Sequence, residues 1–376
     1  EISLGLVGSE MCIRDSILTD VEALSHGLLF WRSFTHWVGG MGVLVFIMAV
    51  MEKTPERSVN ILRAEMPGHN VDKLTPRASG TAKILYYIYL ALTVLETVLL
   101  LCGGMPLFDS IVHALGTAGT GGFGIKADSI ASYSHFCQWV ITVFMLLFGV
   151  SFNMYYLLLI KRWREVLKSN ELKCYLGISL AAMIIIVLSI MPLYGSIADA
   201  VRLSAFQVSS IVTTTGYATA DFDAWPSLPK AVLLILMFFG GCMGSTAGGL
   251  KMSRVTVLAQ IARNDLRHAL RPREVSTVIL NGRRVDAQGE RQILSYFALY
   301  IAVIGAVFLL ISFEPFGIET NFSATVSCVN NIGPGFGQVG PSLSYADYSA
   351  FSKLVLSFAM LLGRLEIYLS LIHISE

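Results

Sequence analysis

The residues in this chain that could do chemistry are not acids, bases or nucleophiles but backbone carbonyls carried on short Thr/Gly-rich loops. Three such loops interrupt otherwise hydrophobic sequence: Gly119-Thr120-Gly121-Gly122-Phe123, Thr213-Thr214-Thr215-Gly216-Tyr217 and Asn330-Asn331-Ile332-Gly333-Pro334-Gly335-Phe336. Each follows a short amphipathic segment and precedes a long apolar one. Irregular backbone at membrane depth is tolerated only where protein buries it or where it lines a water-filled cavity. Carbonyl oxygens on recurring loops of this kind can replace the hydration shell of a cation, so the pattern implies an ion pathway.

A fourth Gly-rich stretch has a different character. Gly240-Gly241-Cys242-Met243-Gly244-Ser245-Thr246-Ala247-Gly248-Gly249-Leu250-Lys251 lies within apolar sequence, and each Gly costs about 1 kcal/mol relative to Ala inside a helix. It predicts a second departure from helix. It is not a phosphate-binding loop, because Leu250 separates Gly249 from Lys251 and the Gly-Lys-Ser/Thr ending is missing. Arg364 sits in the last apolar stretch, where a cation costs a few kcal/mol unless paired or hydrated. Its alternatives are pairing with Glu366 or snorkelling to a helix end. Single glycines such as Gly39 and Gly305 read as sites of close helix packing.

The elements that must position these loops are legible in composition. The chain has 376 residues, 54% hydrophobic and only 14% charged, with a mean hydropathy of +0.65, which excludes an ordinary soluble core. About 20 apolar residues suffice to cross a bilayer, and spans are predicted at about 28–50, 83–103, 136–160, 175–194, 229–250, 293–313 and 351–369. The segments 107–118, 197–212 and 320–331 are too short to span and read as re-entrant helices ending at the three loops. Span, half-helix, loop, span is thus written three times, with the second half of a further unit at the N-terminus. The expected fold is an all-α polytopic membrane protein, a pseudo-four-fold repeat of helix, pore loop, helix units around a central ion pore.

Charge supplies the orientation. Twenty of the 27 Lys and Arg fall in 51–83, 161–174 and 251–291, which the positive-inside rule makes cytoplasmic. The opposite loops hold Lys126, Arg202, Lys230 and Lys353 against Asp109, Asp128, Asp199, Asp221, Asp223, Glu314, Glu319 and Asp347, a balance that concentrates cations. Six scattered cysteines show no metal-ligand spacing. The spans offer Glu96, His113 and Arg364 but no paired carboxylates, which argues against a polytopic enzyme; half-helices argue against a receptor. His36 and His113 read as packing residues.

These stretches, together with Phe30-Trp31-Arg32-Ser33-Phe34-Thr35-His36-Trp37-Val38-Gly39-Gly40-Met41-Gly42 and Leu362-Gly363-Arg364-Leu365-Glu366, resemble the Trk/Ktr/HKT superfamily of potassium transporters, most closely its bacterial Trk-type membrane subunit. The resemblance covers roughly 16–368. It implies potassium uptake across the bacterial inner membrane, with a sodium-coupled or less selective monovalent cation transporter as the alternative, and no enzymatic activity. It implies a selectivity filter of Thr120, Gly121 and Gly122, Thr215, Gly216 and Tyr217, and Ile332, Gly333 and Pro334. The filter glycines would be Gly121, Gly216 and Gly333, and potassium would meet the carbonyls of Thr120, Gly121, Thr215, Gly216, Ile332 and Gly333. It further implies a gate formed by Gly240, Gly241, Gly244, Ser245, Thr246, Gly248, Gly249 and Arg364. The implied partners are membrane lipid, a second copy in a homodimer, and a cytosolic nucleotide-binding regulatory subunit for which 251–292 is a candidate docking surface. No nucleic acid and no covalently bound cofactor are implied.

The expected division is 16–51 as the second helix of unit 1, 52–82 a cytoplasmic loop, 83–160 unit 2, 161–174 a cytoplasmic loop, 175–270 unit 3 with the intramembrane loop 240–250, 271–292 a cytoplasmic loop, and 293–368 unit 4. The run Ser9-Glu10-Met11-Cys12-Ile13-Arg14-Asp15 stands where the family has a first filter loop. The run 369–376 likewise breaks the family pattern after Leu365-Glu366-Ile367-Tyr368, so segments 1–15 and 369–376 are expected to be foreign to the gene, as translated adapter read-through, with a local insertion as the alternative. A chain so altered would lack a quarter of its filter.

Overall fold

The structure, a computed structural model, describes residues 24–40, 78–126, 128–271, 277–341 and 343–365. The expectations for segments 1–15 and 369–376, and all of 41–77, lie outside them. Helix α1 spans His26–Gly40, α2 Ala78–Cys102, α3 Leu107–Ala118, α4 His135–Phe148, α5 Phe152–Leu159, α6 Trp163–Lys168, α7 Asn170–Tyr194, α8 Ile197–Val212, α9 Ser227–Leu236, α10 Met252–Leu270, α11 Ala287–Ile311, α12 Ile318–Asn330 and α13 Ala350–Leu365. A small antiparallel hairpin pairs β1, Ile279–Leu280, with β2, Arg283–Arg284.

Three helices among the described residues, α2, α7 and α11, are long and apolar enough to cross a bilayer. Their outward faces stay apolar, as Leu180 and Leu188 on α7 and Leu309 on α11 show. The short helices α3, α8 and α12 match the three predicted half-helices closely and are buried beyond their first turns. Several of their hydroxyls bond the preceding turn: Thr117 Oγ1 donates to His113 O at 2.8 Å, Ser209 Oγ to Ala205 O at 2.6 Å and Thr325 Oγ1 to Asn321 O at 2.9 Å. Side-chain hydroxyls that back-bond in this way leave no unpaired donor inside the protein.

Long helix, short helix, loop, helix recurs as α2–α3–α4, α7–α8–α9 and α11–α12–α13, and in each set the short helix packs on both neighbours. The sets interlock in order. Helix α1 packs on α3 and α4 on α8, and Phe238, just past α9, meets Phe322 of α12 with ring centroids 6.4 Å apart.

Two predicted spans are not continuous helices. The 136–160 stretch divides into α4 and α5, bent by 91° across Gly149–Ser151. The cause is tertiary: a Cβ at Gly149 would lie 2.4 Å from the Tyr175 hydroxyl, and Gly149 O accepts from Cys242 N at 2.8 Å. The 229–250 stretch is irregular through 240–250, as its glycines predict, but its helix already ends at Leu236, before the first of them. Helix α10 ends at Leu270, immediately before Arg271-Pro272, as predicted.

Glycine spacing alone misreads Gly305, since nothing lies within 4 Å of a Cβ built there. Gly363 is the site of close approach, its Cβ position 1.9 Å from Val329 O of α12. Gly363→Ala should therefore destabilise the protein by ~1–3 kcal/mol through forced separation of α12 and α13. Gly305→Ala should be neutral or stabilising by up to about 1 kcal/mol. Thermal unfolding of the two variants in detergent checks the contrast.

Candidate ion pathway

The three loops share one backbone design. At each helix end a non-Gly residue adopts a left-handed conformation: Thr120 with φ 57°, Thr214 with φ 55° and Asn331 with φ 57°. Its amide bonds the carbonyl three residues back, and the next amide reaches five back. These bonds are Thr120 N to Thr117 O and Gly121 N to Gly116 O, Thr214 N to Ile211 O and Thr215 N to Ser210 O, Asn331 N to Cys328 O and Ile332 N to Ser327 O. This is the Schellman arrangement, which satisfies carbonyls that a helix end would otherwise leave unpaired.

Two residues beyond that left-handed residue, a glycine with positive φ follows in each loop: Gly122 at 65°, Gly216 at 85° and Gly333 at 107°. The register therefore corrects the expected set. Gly122, not Gly121, is equivalent to Gly216 and Gly333, while Gly121 takes the place held by Thr215 and Ile332. Gly121 is needed for another reason, because a Cβ there would lie 2.3 Å from Cδ2 of His36.

Successive loops touch backbone to backbone. A Cβ on Gly122 would fall 2.0 Å from Thr215 O, and one on Gly216 would fall 2.1 Å from Ile332 O. No side chain fits either place, so carbonyl oxygen and Cα are held in contact around the sequence of loops. Side chains brace the outer shell. The Tyr217 hydroxyl lies 3.3 Å from His113 O and 3.2 Å from Phe123 O, Ser210 Oγ donates to Tyr217 O at 2.6 Å, and the Tyr345 hydroxyl donates to Gly333 O at 2.9 Å.

Sequence reasoning assigned His36 to packing, yet its Nε2 lies 2.8 Å from Gly119 O and its ring meets Phe123 edge-on. His36, Gly119, Thr120, Thr214, Gly248, Asn331 and Arg364 line one small cavity. Three of these, Thr120, Thr214 and Asn331, are the left-handed residues of the three loops. Thr214 and Asn331 were missed, and the signal that finds them is position: each is the second residue beyond the last helical one, or the first in the third loop.

The Gly-rich stretch between α9 and α10 closes this cavity from one side. Its ends are joined by Gly240 N donating to Leu250 O at 2.9 Å and Met252 N to Gly241 O at 3.0 Å. A Cβ at Gly240 would lie 2.0 Å from Gly248 O, and Gly244 and Gly249 have φ of 74° and 68°. The stretch is pinned to the loops by Gly248 N donating to Thr214 Oγ1 at 2.6 Å and by Thr120 Oγ1, which lies 3.0 Å from Thr246 O. Thr246 Oγ1 reaches Phe148 O at 3.4 Å, Ser245 Oγ donates to Cys242 O at 2.6 Å, and Lys251 Nζ bonds Ala247 O.

Arg364 meets the same stretch. Its guanidinium donates to Thr246 O at 3.1 Å and to Gly39 O of α1 at 3.2 Å, so it ties the first described helix to the last. Glu366, the alternative partner, lies outside the described residues. Tyr217 and Pro334 flank their glycines, and Pro334 Cδ lies 3.2 Å from a Cβ position on Gly216.

Apolar spans, buried half-helices and backbone loops bracing one another define a polytopic, all-α membrane transport protein. The chain matches the TrkH family of cation transport proteins over residues 8–376 and belongs to it. It is a transporter by family, not an enzyme. It is 32% identical over 363 residues to the Trk system potassium uptake protein TrkG of Escherichia coli (strain K12), covering 94% of this chain and 73% of that one. The Trk system potassium uptake protein TrkH of Salmonella typhimurium is also 32% identical, over 94% of this chain and 74% of its own. The crystal structure of the potassium transporter TrkH from Vibrio parahaemolyticus superposes with a TM-score of 0.82 at 30% identity, covering 96% of this chain and 75% of that one.

The bond between Gly248 N and Thr214 Oγ1 can be removed without changing size. Thr214→Val leaves a half-buried amide unpaired, at a cost of about 1–3 kcal/mol. Faster hydrogen exchange at Gly248 is the expected outcome, measured by mass spectrometry of the peptide that contains 246–250.

Proposed function

We propose that this chain takes up potassium across the bacterial inner membrane through a pore whose selective ring is built from the three loops. The observation that carries the reading is the backbone contact of Thr215 O with Gly122 and of Ile332 O with Gly216, which no side chain can enter. Relatives named as potassium uptake proteins support the choice of ion. In this reading Thr120, Gly121 and Gly122, Thr215, Gly216 and Tyr217, and Ile332, Gly333 and Pro334 form three quadrants, and their carbonyls substitute for potassium's hydration shell.

The loop 240–250 and Arg364 form the barrier below that ring. The loop obstructs sterically, and the guanidinium repels an approaching cation at close range in a medium of low dielectric. Pore units occupy 83–160, 175–270 and 293–368, with α1 as the described part of another. The basic segments 52–82, 161–174 and 271–292 face the cytoplasm. A second copy of the chain and a cytosolic nucleotide-binding subunit complete the assembly.

Gly216→Ser tests the ring, since φ of 85° and the nearby Ile332 O both oppose a Cβ. Selectivity for potassium over sodium should fall by about tenfold or more, the equivalent of ~1.4 kcal/mol. Gly122→Ser should do the same, whereas Gly121→Ser should act mainly on stability through His36. Uptake of both ions in a transport-deficient host, with surface expression controlled, decides it. Unchanged selectivity in Gly216→Ser and Gly122→Ser would remove the assignment.

A further inference from the structure

A buried acid outside the proposed pathway holds the Gly-rich loop from behind. Glu171, in the first turn of α7, is 3% exposed, and its Oε1 accepts from Met243 N at 2.6 Å. The same carboxylate also faces the Ser253 amide, the Asn281 side chain and the charge of Lys251. It therefore grips the loop near its beginning and where it runs into α10.

Glu171 is itself fixed by the β1–β2 hairpin. Asn281 Oδ1 accepts from Ser169 Oγ at 2.9 Å and lies 3.5 Å from Glu171 N, so the hairpin tip caps the N-terminus of α7. Asn281 and Gly282 have φ of 48° and 81°, the two left-handed residues that a type I′ turn requires. The hairpin is also clamped to α10: Gln260 Nε2 donates to Ile279 O at 2.9 Å and Gln260 Oε1 accepts from Ile279 N at 3.0 Å. Helix α10 begins where the Gly-rich loop ends. Loop, α10, hairpin, α7 and loop thus form a closed circuit of hydrogen bonds and chain.

We propose that Glu171 and Asn281 form a latch that holds the 240–250 loop in its obstructing position and transmits movement of the β1–β2 hairpin to Met243. The proposal rests on reading 240–250 as the barrier, and it deepens that reading by naming what keeps the barrier in place. A partner acting on the exposed hairpin or on α10 reaches the loop without touching it. Glu171 acts through the loop backbone, so it is a positioning residue and meets no ion.

Asn281→Gly keeps the left-handed turn while deleting the amide, and Glu171→Ala deletes the carboxylate. Glu171→Gln retains an acceptor at the same reach. Two readouts apply to the protein in lipid nanodiscs and in liposomes: hydrogen exchange at the Met243 amide, and potassium flux. Glu171→Ala should speed exchange roughly tenfold, as expected when a buried amide loses its acceptor. Asn281→Gly should speed it about threefold or more, and both should raise flux. Glu171→Gln should stay near the parent, and the double variant should not exceed Glu171→Ala. Parental exchange in a folded Asn281→Gly protein, or additive effects in the double variant, would overturn the latch, as would reduced flux. A parent that exchanges normally but passes no potassium would instead defeat the proposed function, with the exchange measurements still deciding the latch.

Discussion

Backbone amides and carbonyls at the depth of a bilayer have no water to bond, so each departure from helix must find its partners within the protein. Everything else here follows from how that requirement is met. The three loops after α3, α8 and α12 meet it with Schellman turns, which bond the exposed helix carbonyls internally and leave the next few residues free of the helix. Left-handed Thr120, Thr214 and Asn331 accept a conformation that costs L-residues about 1–2 kcal/mol each. Their side chains are what tertiary bonding requires: Thr120 and Thr214 reach the Gly-rich loop, and Asn331 Nδ2 donates to Met360 O at 3.2 Å.

The same requirement explains why the irregular parts form layers against one another. The 237–251 stretch bonds its own ends, then Gly149 O and the side-chain oxygens of Thr214, Thr120 and Glu171, so that its polar backbone meets polar partners. Close approach is possible only where Cβ atoms are missing. Gly122 and Gly216 admit the neighbouring loop, Gly240 admits Gly248 O, and Gly121 admits the His36 ring. Arg364 then joins this layer to α1 through Thr246 O and Gly39 O, which gives a cation in an apolar helix the hydrogen bonds it needs.

Such an arrangement is stiff where backbone meets backbone and adjustable where side-chain hydroxyls or Glu171 supply the bond. In the proposed reading, carbonyl dipoles are the working groups at the loops. The membership of the chain in a cation transport family agrees with that reading.

Hydrophobic runs, half-helices and repeated Thr/Gly loops are one-dimensional patterns, and for that reason the sequence by itself determined the helical membrane class, the three loop positions and the departure from helix at 240–251. The end of α10 at Arg271-Pro272 was equally local, since proline cannot continue a helix. Which residues stand in register was not local. Gly121 and Gly122 look alike in sequence, and only the hydrogen bonds of the turn and the neighbouring His36 and Thr215 distinguish them. The 91° bend at Gly149–Ser151 likewise has its cause in Tyr175 and Cys242, distant along the chain. Gly305 and Gly363 show the limit most simply: both are small residues in apolar helices, and whether a neighbour's backbone lies against one of them is decided by the crossing of helices in space, which no spacing in the chain encodes.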